Sequence, residues 1–150
     1  MNQQLIQDAY RLLQGELSPE AGIVLDLRQE EVAPLANLLE QYDMTAARQC
    51  RLLTIYVAIK LALHRHSECE FTASGDELTR KVLDGDYLYS FYLELCLKWE
   101  EYDLLSHLAP ILKQIQIKRV EGRPEDERLL KAWELFLQLE NNRSTASRAI

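Results

Sequence analysis

An all-α fold is what this sequence of 150 residues predicts, and two observations carry the prediction. Only five glycines and four prolines punctuate the chain. Nearly every segment between them repeats its apolar residues at helical rather than strand spacing. A hydrophobic content of 47% is ordinary for a globular protein and, at this length, suits one domain with its own core. No repeat or linker divides the chain, so a single helical bundle is expected over residues 1–142.

Leu5, Ile6, Ala9, Leu12 and Leu13 make the stripe of a first helix, which Gly15 and Ser18-Pro19 should end. Val32, Leu35, Leu38 and Leu39 make the next, with Pro34 in its first turn or kinking it. Thr45 can cap a long third helix running to about His66, because its hydroxyl oxygen can accept from an otherwise unpaired N–H of the first turn. Between Leu52 and Leu63 that helix is apolar almost all round, broken mainly by Thr54, Tyr56 and Lys60. A helix of that kind belongs in the middle of a bundle.

A polar loop around Ser67 to Asp76 leads to a fourth helix from about Glu77 to Lys98. Val82, Leu88, Phe91, Tyr92, Leu95 and Trp99 cover more than one of its faces, while Tyr87, Ser90 and Glu94 line up on another. Two packing surfaces are therefore expected on this helix. Asp103 can cap a fifth, with the stripe Leu104, Leu108, Ile111, Leu112 and Ile115 and a bend at Pro110. Pro124 suits the first turn of a sixth, with Leu129, Leu130, Trp133, Phe136 and Leu137 inward. The last residues, 143–150, have no apolar stripe and are expected to form a disordered tail.

The formal charge of −7 repels a phosphate backbone, and no basic run offsets it, so no nucleic-acid partner is expected. Cys50, Cys69 and Cys96 are odd in number and widely spaced, which points to reduced thiols in the cytoplasm rather than a disulfide framework or a zinc knuckle. The first residues lack a basic segment followed by an apolar block, so a signal peptide is not expected. The run from Leu52 to Leu63 is too short to cross a bilayer and contains Lys60, so no transmembrane segment is expected.

Candidate chemistry is thin. Asp84 and Asp86 sit two apart on a helix and point about 200° from one another, so one metal ion cannot easily use both. His64 and His66 diverge for the same reason, although His64 and Glu68 share a face. No Gly-x-Ser-x-Gly turn surrounds a serine, and no glycine-rich phosphate loop is present. Gly85 stands out because glycine inside a helix costs roughly 1 kcal/mol against alanine. Close approach of a neighbouring helix is the usual compensation.

Two blocks carry a resemblance to a known family. Leu52 to Glu68 resembles the helix that ends in His-Asp-Asp-x-x-Asp in catalytic trans-prenyl diphosphate synthases. Lys81 to Cys96, containing Leu83-Asp84-Gly85-Asp86-Tyr87-Leu88-Tyr89-Ser90, resembles the following helix, with its Gly-Asp-Tyr-Leu and later aromatic residues. Leu104 to Lys118 adds a third stretch similar to the small component of heterodimeric heptaprenyl- or hexaprenyl-type synthases. The resemblance spans about Glu31 to Gly122 and implies a truncated isoprenoid synthase fold.

The departure matters as much as the match. In catalytic members three aspartates on one helix face bind Mg²⁺ bridged to the allylic diphosphate. Here the corresponding run is His66-Ser67-Glu68-Cys69-Glu70-Phe71, a degenerate motif that keeps only Glu68 at a ligand position. The resemblance thus implies a non-catalytic small subunit with no cofactor of its own. Its partner, a catalytic large subunit, would carry Mg²⁺, and the pair would make the polyprenyl side chain of a quinone such as menaquinone. It further implies that Gly85, Tyr87, Ser90, Phe91 and Glu94 meet the partner, and that the chain self-associates when alone. The residues by themselves equally permit a helical adaptor unrelated to prenyl metabolism, or an enzyme using His64 and Glu68.

Overall fold

A computed structural model describes residues 2–72 and 74–149, with side chains for all of these but 71 and 144–149. Among the described residues the chain forms six α-helices and no strand. They are α1 (Gln3–Glu16), α2 (Gln29–Glu40), α3 (Ala46–Glu68), α4 (Asp76–Lys98), α5 (Tyr102–Val120) and α6 (Arg128–Ala149). Short 3₁₀ turns occupy Pro19–Ala21 and Cys69–Phe71.

The third helix is the axis of the molecule. Thr45 Oγ1 accepts the Arg48 N–H at 3.1 Å, so α3 starts at the expected cap. From Leu52 to Leu63 every residue except Lys60 is buried, against α4 on one side and α1 and α2 on others. Each leucine or isoleucine fully removed from water there contributes about 1.5–3 kcal/mol. Thr54 is the polar exception, and its hydroxyl bonds back to the Cys50 carbonyl at 2.7 Å. Trp133 of α6 closes the core, its ring edge-to-face with Tyr56 at 5.7 Å between centroids.

Element boundaries depart from the sequence expectation at α1, α5, α6 and the C-terminal tail. Gly15 lies inside α1, and the helix ends instead at Leu17, whose extended backbone leads to Ser18, held out of the helical region by Pro19. Asp103 is not the cap of α5, since it falls within the first turn after Tyr102. Pro124 does not open α6 either. Glu125 and Asp126 first make a tight turn, their carbonyls accepting from the Arg128 and Leu129 N–H groups at 3.0 and 3.1 Å. The expected tail 143–150 has helical backbone as far as Ala149, while its side chains from 144 onward lie outside the described residues.

An element missed in the sequence is the extended crossing from Leu17 to Arg28. Leu17, Ile23 and Leu27 anchor it in the core. Between its ends and outside its 3₁₀ turn its backbone has no helical partners among the described residues, and side chains from elsewhere bond to carbonyls along it. Arg65 donates to the Val24 carbonyl at 2.8 Å, Arg80 to Ala21 at 2.7 Å, and Tyr10 to Leu27 at 3.2 Å. No helix among the described residues is long and apolar enough to cross a membrane.

Candidate functional site

The end of α3 and the first half of α4 bring together His64, His66, Glu68, Asp84, Gly85 and Asp86. At their crossing Gly85 is buried, and a β-carbon built on it would overlap the His66 imidazole. The close approach expected at this glycine is therefore made by α3 of the same chain. His66 Nε2 continues past Gly85 to the Asp86 carboxylate at 3.0 Å. Asp84 turns the other way and accepts from Arg80 Nε at 2.9 Å. The two carboxylates of Asp-Gly-Asp serve different partners, as their helical spacing requires.

Two cations and an imidazole surround the Glu68 carboxylate. His64 Nδ1 lies at 3.1 Å, Lys81 Nζ at 3.3 Å and Arg65 Nη1 at 3.4 Å. Burial pulls the Lys81 ammonium downward, but hydrogen bonds and charge from Glu68 and Glu77 outweigh it and hold the group above its usual range. A divalent ion at Glu68 would have to displace these cations. No three His, Cys, Asp or Glu side chains among the described residues converge in a way that could hold one. Arg65, nearly buried, is fully committed, reaching Asp26 at 2.9 Å as well as Val24. The pair His64 and Glu68 is thus a corner of an ion-pair network that fastens the 17–28 crossing to α3 and α4.

The five residues expected to meet a partner divide into two groups. Gly85 is covered by His66. Tyr87 accepts the Ser18 N–H at 3.3 Å and stacks on Phe91, with ring centroids 5.8 Å apart, and Phe91 is itself buried. These three are engaged within the chain. Ser90 and Glu94 face outward and make no hydrogen bond or ion pair among the described residues.

Around Ser90 and Glu94 the outer face of α4 has apolar residues that no other element covers. Leu83 is 59% and Leu97 55% exposed, and Val82 adjoins them. Leu83 and Leu97 were not recognised in the sequence as parts of this face, although their seven-residue spacing to Ser90 is visible there. Beside it, the first turns of α4 and the end of α5 border an open groove of about 480 Å³ lined by Val82, Asp86 and Val120. The opposite face buries Leu88, Tyr92, Leu95 and Cys96. Burial pushes the Cys96 thiol up to about 12 and raises the Tyr92 phenol.

Comparison of the chain with protein-family models, with curated proteins and with solved structures gave no match.

Proposed function

We propose that this chain is the non-catalytic subunit of a heterodimeric long-chain polyprenyl diphosphate synthase, acting in the cytoplasm beside a catalytic large subunit. The carrying observation is the two-sided character of α4, which is packed on α3 through Leu88, Tyr92 and Leu95 and leaves Leu83, Ser90 and Leu97 open to a partner. The resemblance of the α3 and α4 blocks to the small synthase component supports the same reading. So does Glu68, whose carboxylate is occupied by Lys81, Arg65 and His64 and is not free for a diphosphate-bound ion.

In this reading the large subunit binds Mg²⁺ and the two diphosphate substrates and performs the condensation. The small subunit covers the large subunit's matching helix and helps set the length of the product, which becomes the side chain of a quinone such as menaquinone. Each added isoprene unit carries several CH₂-sized groups worth ~0.8 kcal/mol apiece on burial. Side chains delivered by a second subunit at the tunnel can therefore favour or stop elongation.

Co-expression with a candidate large subunit tests the proposal. The expected result is long-chain synthesis only from the pair, lost when Leu83→Arg and Leu97→Arg are introduced together here. Long-chain synthesis by the large subunit alone, unchanged by this chain, would sink it and leave the helical-adaptor reading.

A further inference from the structure

The open face of α4 is defined by a short pattern. Leu83, Ser90 and Leu97 lie seven residues apart on one line, and Asp86 and Glu94 stand four residues to either side of Ser90. Seven-residue spacing is what a helix presents to another helix packed along it. The small side chain at Ser90 lets such a helix come close at the centre, and the leucines grip it at both ends. Asp86 keeps its carboxylate 66% exposed despite its contact with His66, and Glu94 touches nothing charged.

The acidic positions discriminate between partners. Two copies of this chain joined by a two-fold axis can place their α4 helices in either of two senses. If antiparallel about Ser90, Asp86 of each copy faces Glu94 of the other. If parallel, Asp86 faces Asp86 and Glu94 faces Glu94. Both arrangements set carboxylate against carboxylate across an apolar seam, in molecules that already carry a formal charge of −7 each. Like charges placed against the wrong partner are a recognised way to obtain specificity from a surface whose apolar part would otherwise accept it.

We propose that Asp86 and Glu94 reject a second copy of this chain and select a different protein, whose docking helix has a small residue at its centre flanked by lysine or arginine. The apolar residues supply attraction and the two carboxylates supply identity. The inference takes α4 as the docking helix, as above, but does not require that the partner be a synthase subunit. It also opposes the self-association that an exposed apolar face would otherwise bring about.

The test uses only this protein. Ser90→Cys is placed in the full chain with its native charges and in a full chain also carrying Asp86→Lys and Glu94→Lys, and the two are mixed in a glutathione redox buffer. Circular dichroism first verifies that both fold. Mass spectrometry then counts the disulfides formed at position 90. At low salt the square of the mixed species over the product of the two homodimers should exceed its statistical value by about tenfold or more, since every acidic contact now meets a lysine, and it should fall back towards that value at high salt. A statistical distribution at low salt overturns the proposal. If Asp86→Lys disturbs folding through its loss of His66, Glu94→Lys alone replaces it, since Glu94 touches nothing charged in the fold. A parallel seam then enriches the mixed species by a smaller factor and an antiparallel seam enriches the Glu94→Lys homodimer over the native one, and the absence of both overturns the proposal equally. Because no large subunit is present, failure here is separate from failure of the co-expression experiment.

Discussion

The imidazole of His66 lies across Gly85, in the space that a β-carbon would fill, and reaches Asp86 with its Nε2 at 3.0 Å. One ring thus joins the last turns of α3 to the middle of α4. It also explains a glycine at a helical position where alanine would stabilise the isolated helix by about 1 kcal/mol.

Gly85→Ala should therefore destabilise the protein by about 1–2 kcal/mol, as an inserted methyl does in a packed site. In a His66→Ala background the space is empty and the same change should become stabilising, by up to about 1 kcal/mol. Urea unfolding of the four chains of this cycle checks it. A Gly85→Ala effect of the same sign in both backgrounds would refute the contact.

Arg65→Met removes the donor that pairs with Asp26 and Val24 from a site where the side chain is only 8% exposed. Losing the bonds that the buried guanidinium makes to the Val24 carbonyl and the half-exposed Asp26 carboxylate should cost about 1–3 kcal/mol. The loss should be local first. Limited proteolysis is expected to cut between Leu17 and Arg28 before the helices, whereas Arg28→Met, an exposed change, should leave the fragment pattern unaltered.

Alkaline pH should weaken the fold. Burial raises Cys96 from its ordinary 9.0 to about 12 and Tyr56 from 10.0 to about 12. Above pH 9 the unfolded chain therefore releases protons that the folded chain keeps, and stability falls as pH rises between about 9 and 12. Each group contributes a slope of up to ~1.4 kcal/mol per pH unit in that window and nothing below it. Denaturant unfolding at pH 7 to 10.5 measures the slope, and Cys96→Ala should remove its first part. A flat profile would show that the thiol is not held neutral.

Glu100 occupies the left-handed region at φ 56°, between α4 and α5. Its N–H bonds to the Leu97 carbonyl at 3.2 Å and the Glu101 N–H to Cys96 at 2.8 Å, the paired bonds that end a helix through a left-handed residue. Glycine is at ease there and glutamate is not. Glu100→Gly should raise stability by up to about 1 kcal/mol in thermal unfolding, and a loss would show that the corner is held by something other than its backbone.

Much of the helical frame was legible because helical periodicity is a local signal. The stripes of α1, α2, α3 and α5 appear in the structure as buried rows, and Thr45 caps α3 through a hydroxyl only three residues from the N–H it accepts. Boundaries were less legible where punctuation misleads. Of the two stop signals for α1, Ser18-Pro19 ends the helix while Gly15 lies inside it, and the turn at Glu125 and Asp126, not Pro124, leads into α6.

At the α3 and α4 crossing the sequence alone established that Gly85 needed a close neighbour, that Asp84 and Asp86 would diverge, and that α4 would have two faces. Those conclusions follow from spacing within one helix. That His66 is the neighbour, that Arg65 ties down the 17–28 crossing, and that Leu83 and Leu97 remain uncovered beside Ser90 were decided only by the tertiary structure. The reason is physical: which apolar residue of a two-faced helix stays in water depends on the elements that happen to cover it. Those elements lie many residues away, beyond the reach of any local pattern.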